Sequence, residues 1–164
     1  MWTAKQLQSL LWPRQNRLLR LLLTAAVALI IFSTILLPFR VTGESMAPRY
    51  QSGRYNFCWA PAYWFSQPRR FDVVLISLTG SQVMLLKRIV ALPGETIAFR
   101  DGQTLINGQP LAEPHVNRRG NWTMPPREVA PGTVYLVGDN RAMGMESHLF
   151  GAAAKKRIKG RPLW

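Results

Sequence analysis

Leu21 to Leu37 is a run of 17 residues without a charge, and its polar members are Thr24, Ser33 and Thr34 alone. As a helix rising 1.5 Å per residue it would span about 25 Å. With Leu18, Leu19 and Phe39 added, and Arg20 reaching outward along its aliphatic stem, it attains the roughly 30 Å of a bilayer core. Arg14, Arg17 and Arg20 precede the run, which predicts a cytoplasmic N-terminus; Arg40, Arg49 and Arg54 on the far side weaken that bias. A cleaved leader is the alternative, but the run is long for one and no Ala-x-Ala follows it. The expected organisation is a cytoplasmic segment over 1–17, a transmembrane helix over 18–39 and an extracytoplasmic domain over 40–164.

About 120 residues follow the apolar run in this chain of 164, enough for one compact domain. The formal net charge is +13, and once the five basic residues up to Arg40 are set aside, sixteen face all eight acids. Such a balance favours either nucleic acid or an anionic membrane. The apolar run points to an anionic phospholipid membrane. No nucleic-acid-binding motif accompanies the charge, and Lys155-Lys156-Arg157 is too short to stand as one. The single cysteine, Cys58, excludes an internal disulfide and a cysteine-rich zinc site. Only His115 and His148 are available for a histidine-based metal site or a Ser-His-Asp triad, so neither a metal nor a cofactor is expected. His148 reads as a surface histidine or as one that supports a neighbouring site from behind.

The remainder reads as strands and turns. Arg54–Trp59 and Phe71–Ser77 are rich in aromatic and β-branched residues. Residues 95–100 and 103–106 form a predicted hairpin about Asp101-Gly102, a type I′ signal, and Asn107-Gly108 is a second turn signal. Thr133–Val137 is a short strand that delivers Gly138-Asp139 at its end. The predicted fold class is mostly β. Pro61–Phe65 is an aromatic cluster followed by Arg69-Arg70; core packing is its default reading, and a loop dipping into a bilayer interface is the alternative.

Two segments carry chemistry. Ser45 stands in Gly43-Glu44-Ser45-Met46-Ala47-Pro48, separated from Phe39 by about five residues. Lys87 stands in the apolar segment Leu85-Leu86-Lys87-Arg88-Ile89-Val90. A serine hydroxyl is a poor nucleophile until a base takes its proton. Lysine can be that base only when neutral, which requires burial in apolar surroundings. As a strand, residues 83–90 place Val83, Leu85, Lys87 and Ile89 on one face. Taken singly, Ser45 reads as a turn residue and Lys87 as a strand lysine reaching for water.

These segments, with Leu92-Pro93-Gly94-Glu95 and Gly138-Asp139-Asn140-Arg141, resemble the type I signal peptidases, membrane serine proteases with a Ser-Lys dyad. The resemblance covers residues 41 to 151. Arg69-Arg70-Phe71-Asp72-Val73-Val74 is similar to the family's Arg-Gly-Asp-Val-Val segment, with Phe71 in place of glycine. The resemblance implies a compact signal-peptidase-type β domain on one N-terminal transmembrane helix. It implies Ser45 as nucleophile, Lys87 as general base and the Ser45 backbone N–H as oxyanion donor, with Asp139, Arg141 and Glu146 supporting. The implied reaction is removal of N-terminal signal peptides after small residues. The implied partners are precursor proteins carrying signal peptides and the export translocon, and the implied location is the inner (cytoplasmic) membrane.

Three positions depart from the family pattern. Gly43 replaces a serine that assists the oxyanion hole in some members. Gly144 replaces a serine that often holds the lysine amine. Glu146-Ser147-His148 replaces Asp-Ser-Arg, which removes the arginine partner of the acid. The competing readings are a catalytically impaired signal-peptide-binding membrane protein, a self-cleaving Ser-Lys peptidase of the SOS-response type, and a mitochondrial inner-membrane peptidase.

Overall fold

The computed structural model of the chain describes residues 15–77, 84–148 and 150–164. It opens with α1 (Gln15–Ile30), continued by a π-helical turn over Ile31–Ile35. The stretch Asn16–Ile35 is 20 residues long, apolar enough to cross a membrane, and unburied by the rest of the chain. At 1.5 Å per residue it spans about 30 Å. Ser33 and Thr34 both turn their hydroxyls back onto the Ile30 carbonyl, at 3.2 and 2.6 Å, where the helix loosens into its π turn.

The helix is shorter at its C-terminal end than the expected 18–39. Leu36–Arg40 form β1 instead, pairing antiparallel with β2 (Tyr55–Trp59). The reason is Pro38, which lacks an N–H, clashes with the preceding helical turn and disfavours helix at Leu37. As a strand residue it is tolerated because β1 lies at the edge of its sheet.

The remaining strands are β3 (Val73–Ser77), β4 (Met84–Ala91), β5 (Thr96–Arg100), β6 (Gln103–Ile106), β7 (Gln109–Pro110), β8 (Met124–Glu128), β9 (Thr133–Val137), β10 (Gly151–Ala154) and β11 (Ile158–Pro162). A seven-stranded sheet runs β1-β2-β11-β3-β4-β9-β10, and a four-stranded sheet runs β7-β6-β5-β8. The chain is thus mostly β, as its sequence indicates. The β5–β6 hairpin turns at Asp101 and Gly102 with φ of 49° and 77°, the left-handed pair that a type I′ turn demands. Asn107 and Gly108 repeat this geometry into β7.

Three apolar clusters make up the core, and one of them ties the two sheets together. One joins the small sheet to β4 and β9 through Ile97, Phe99, Trp122, Val90 and Val137. A second packs Val74, Ile76, Ile89 and Leu136 on one face of the large sheet. The third holds Val41, Met46, Tyr50, Cys58, Leu75 and Leu86. The aromatic cluster packs as core only in part, through Tyr63, which lies against the cluster of Val74 and Ile76. Ala60–Tyr63 form a 3-10 turn, Tyr63 bonds Asp72, and Trp64 and Phe65 are 62% and 97% exposed.

Candidate active site

Ser45 lies in a chain of tight turns after β1. Ala47 N–H donates to the Glu44 carbonyl at 3.0 Å, and Tyr50 N–H to the Met46 carbonyl at 3.0 Å. Met46, 1% exposed, anchors this turn in the cluster of Leu75 and Leu86. Burying the side chain next to the serine holds the hydroxyl at one place beside β4. Lys87 comes from the middle of β4, opposite Val74 of β3. Its Nζ lies 2.6 Å from the Ser45 Oγ.

Lys87 is 3% exposed. Leu85 and Ile89 share its strand face and belong to the apolar cluster there; Val83 lies outside the described residues. Burial lowers the ammonium from its ordinary value near 10.5 to about 8, against the opposing pull of the Asp139 carboxylate. An amine in that range is neutral in a useful fraction near physiological pH and can accept a hydroxyl proton. The Ser45 backbone N–H has no acceptor among the described residues.

The turn after β9 holds the other half of the site. A β-carbon on Gly138 would collide with the Ser45 carbonyl oxygen and the His148 ring, so only glycine lets these two segments touch. Asn140 then ties down the serine turn twice: its N–H donates to the Ser45 carbonyl at 2.9 Å and its side-chain amide to the Glu44 carbonyl at 3.0 Å. Asp139 receives Arg88 in a two-pronged pair at 2.7 and 2.5 Å, and Arg88 also donates to the Phe71 carbonyl at 2.7 Å. Phe71 holds a left-handed φ of 70°, the conformation glycine adopts freely, at the position where the family pattern has glycine.

Arg141 does not point at Ser45 or Lys87. It pairs with Glu113 at 2.5 Å, donates to the Thr104 hydroxyl and the Gly138 carbonyl at 3.0 and 2.9 Å, and lies over the rings of Phe99 and Trp122. Glu113, 6% exposed, is thus the acid that fixes the turn from the small sheet. Sequence reasoning passes over it: a single glutamate in the loop after β7 has no spacing that announces its partner, although a chain with so few acids gives each one weight. Glu146 is exposed and makes no ion pair or hydrogen bond among the described residues. The geometry therefore gives it no supporting role, and Glu113 is the acid paired with the arginine of this turn.

The two other departures also have local accounts. Gly43 has φ +82° and faces open space, and its N–H donates to the Ser52 hydroxyl at 3.2 Å, so a side chain there would be strained in backbone but not in volume. Gly144 has an ordinary φ of −56°, and a β-carbon would meet only the movable carboxylate of Glu146. Between the end of β1 and β4 lies a cavity of about 30 Å³ lined by Phe39, Val41, Ser45, Leu75, Leu86 and Lys87. A second, of about 160 Å³, adjoins Lys87 and is lined by Leu85, Leu136, Phe150 and Ala152. Larger hollows of about 570 and 660 Å³ touch neither Ser45 nor Lys87. Among the described residues no group of histidine, cysteine and acidic side chains could hold a metal ion.

An apolar helix, long enough to cross a membrane, leads into a β domain that brings a serine hydroxyl to a buried lysine amine. Residues 14–164 match the family described as signal peptidase, peptidase S26, and the chain belongs to that family of serine peptidases. It is 30% identical over 151 residues to signal peptidase I V of Bacillus subtilis, covering 84% of this chain and 89% of that one. It is 31% identical over 153 residues to a signal peptidase I of Bacillus amyloliquefaciens, covering 85% and 78%. A crystal structure of a signal peptidase I from Enterococcus faecalis superposes with a TM-score of 0.47 at 26% identity, over 58% of this chain and 97% of that one.

Proposed function

We propose that this chain is a membrane-bound endopeptidase that removes N-terminal signal peptides from exported precursors after small residues, with Ser45 as nucleophile and Lys87 as general base. The observation that carries the reading is the 2.6 Å contact between the Ser45 hydroxyl and a lysine amine whose burial lowers it to about 8. The neutral amine takes the Ser45 proton as Oγ adds to the scissile carbonyl. The resulting oxyanion faces the Ser45 N–H. Lys87, now an ammonium, returns its proton to the departing amine of the mature protein, leaving the signal peptide as an ester on Ser45. A water, deprotonated by the same amine, then releases it.

The small cavity of about 30 Å³ beside Ser45 supports a small side chain before the cleaved bond. The helix over Asn16–Ile35 supports a single crossing with the β domain outside the cytoplasm, and the arginines before it support the cytoplasmic N-terminus. The π turn of that helix rests against β2 through Phe32 and Phe57. Trp64 and Phe65, exposed on the turn after β2, are suited to the interfacial layer of the same membrane, with Arg69 near lipid phosphate.

The deciding experiment uses the full chain in detergent with a precursor carrying Ala-x-Ala at its junction. Wild type should cleave at the junction, and Ser45→Ala should abolish cleavage while remaining in the membrane fraction. Substantial turnover by purified Ser45→Ala would sink the nucleophile assignment.

A further inference from the structure

His148 is the one histidine packed against the serine turn, and the reaction described above leaves it without a task. It is 5% exposed and lies edge-on to Trp122, with ring centroids 4.7 Å apart. Its Nε2 is 2.8 Å from the Asn140 carbonyl oxygen. A carbonyl oxygen can only accept, so Nε2 carries the proton and Nδ1 is the bare nitrogen. Burial, helped by the charges of Lys87 and Arg141, pushes the imidazole down to about 4, so the ring is neutral wherever the lysine titrates. Its other edge, Cε1 and Nδ1, lies within 3.0 Å of where a β-carbon on Gly138 would stand, a position that also abuts the Ser45 carbonyl.

A continuous relay of hydrogen bonds follows from these contacts. His148 Nε2–H holds the Asn140 carbonyl, and Asn140 donates to the carbonyls of Ser45 and Glu44. Asn140 is partly exposed between the buried Asp139 and Arg141, and its carbonyl takes the Met143 N–H at 3.3 Å besides the shorter bond from His148. The imidazole, wedged between Trp122 and Gly138, supplies the rigid end of that chain. We propose that His148 is a positioning residue for the proposed Ser-Lys pair: by donating from Nε2 to Asn140 it locks the turn that presents Ser45 Oγ to Lys87. Neither His148 nor Asn140 touches the reacting atoms. The inference rests on the peptidase reading for its kinetic consequence, not for its structural one.

The two amide substitutions separate the ring nitrogens. His148→Gln places an N–H near the Nε2 position and can keep the bond to Asn140. His148→Asn ends near the Nδ1 position and cannot reach it, and His148→Ala removes both. The full chain in detergent is assayed with the Ala-x-Ala precursor, and hydrogen exchange at the Asn140 N–H is followed in the same samples. His148→Gln should keep kcat within about threefold of wild type, whereas Asn and Ala should lose about 100-fold, the scale of a displacement near 1 Å in a reacting geometry. KM should change little, and the Asn140 amide should exchange faster only in the Asn and Ala variants. Alanine with wild-type kcat and wild-type exchange would overturn the proposal, as would His148→Gln behaving like alanine while melting like wild type. If wild type cleaves no precursor, the peptidase reading falls; Asn140 exchange still decides whether His148 holds the serine turn.

Discussion

At the scale of single residues, Lys87 carries the sharpest consequences. Its folded value near 8 lies below the value near 10.5 of the unfolded chain. Between these values the unfolded chain binds more protons, so folding stability rises with pH through that window, and below it the buried ammonium is a standing penalty of roughly 3 kcal/mol. Lys87→Met keeps the apolar stem without the charge. After loss of the Ser45 hydrogen bond it should stabilise the protein by about 2 kcal/mol at pH 7 and abolish turnover; urea midpoints at pH 7 check the first and precursor cleavage the second. The turnover of wild type should climb about tenfold per pH unit below 8 and level off above it, as the amine loses its proton. Lys87→Arg, always charged, should stay inactive across that range. A wild-type profile flat from pH 6 to 10 would deny Lys87 the role of base.

At the scale of elements, the turn from β9 to β10 is held from two sides by buried ion pairs, Arg88 with Asp139 and Arg141 with Glu113. Removing one partner of a buried pair strands the other, which typically destabilises by about 3 to 5 kcal/mol. Glu113→Gln should therefore lower the unfolding free energy read from urea denaturation by an amount in that range, although Glu113 lies outside each of the short motifs that carry the family resemblance. Asp139→Asn tests a different link. The Asp139 carboxylate raises the Lys87 value while burial lowers it, so its neutralisation should move the midpoint of the pH–turnover curve below that of wild type. An unchanged or raised midpoint would remove Asp139 from the electrostatics of the pair. The hairpins of β5, β6 and β7 are legible from Asp101-Gly102 and Asn107-Gly108, because their left-handed turn positions admit few residues. Helix α1 misleads by its length: hydropathy continues through Leu37, and only Pro38 marks where the chain leaves the helix for β1.

For the molecule as a whole, the exposed pair Trp64 and Phe65 lies on the turn that follows β2, the strand on which the end of the proposed membrane helix rests. In vesicles both should lie in the interfacial layer. Phe65→Cys carrying an environment-sensitive fluorophore, in full-length protein reconstituted into anionic vesicles, should be quenched by lipids brominated near the headgroup. Cys58 is fully buried and leaves position 65 as the accessible thiol. No quenching would put the turn in water and leave the helix as the sole membrane contact. Protease added outside spheroplasts should digest the β domain; full protection there, with digestion in inverted vesicles, would reverse the proposed orientation.

The sequence by itself determined the apolar helix, the β character and the two segments bearing Ser45 and Lys87, because hydropathy, alternation and turn chemistry act over a few neighbouring residues. It also placed Asp139 and Arg141 in one motif, without saying whom they pair with. The tertiary structure alone decided those partners: Arg88 for one and Glu113 for the other. It also buried His148 against Gly138 and left Glu146 and Phe65 in the open. Burial and partner choice depend on which distant strands share a face, and a pattern of spacing along one chain does not contain that information.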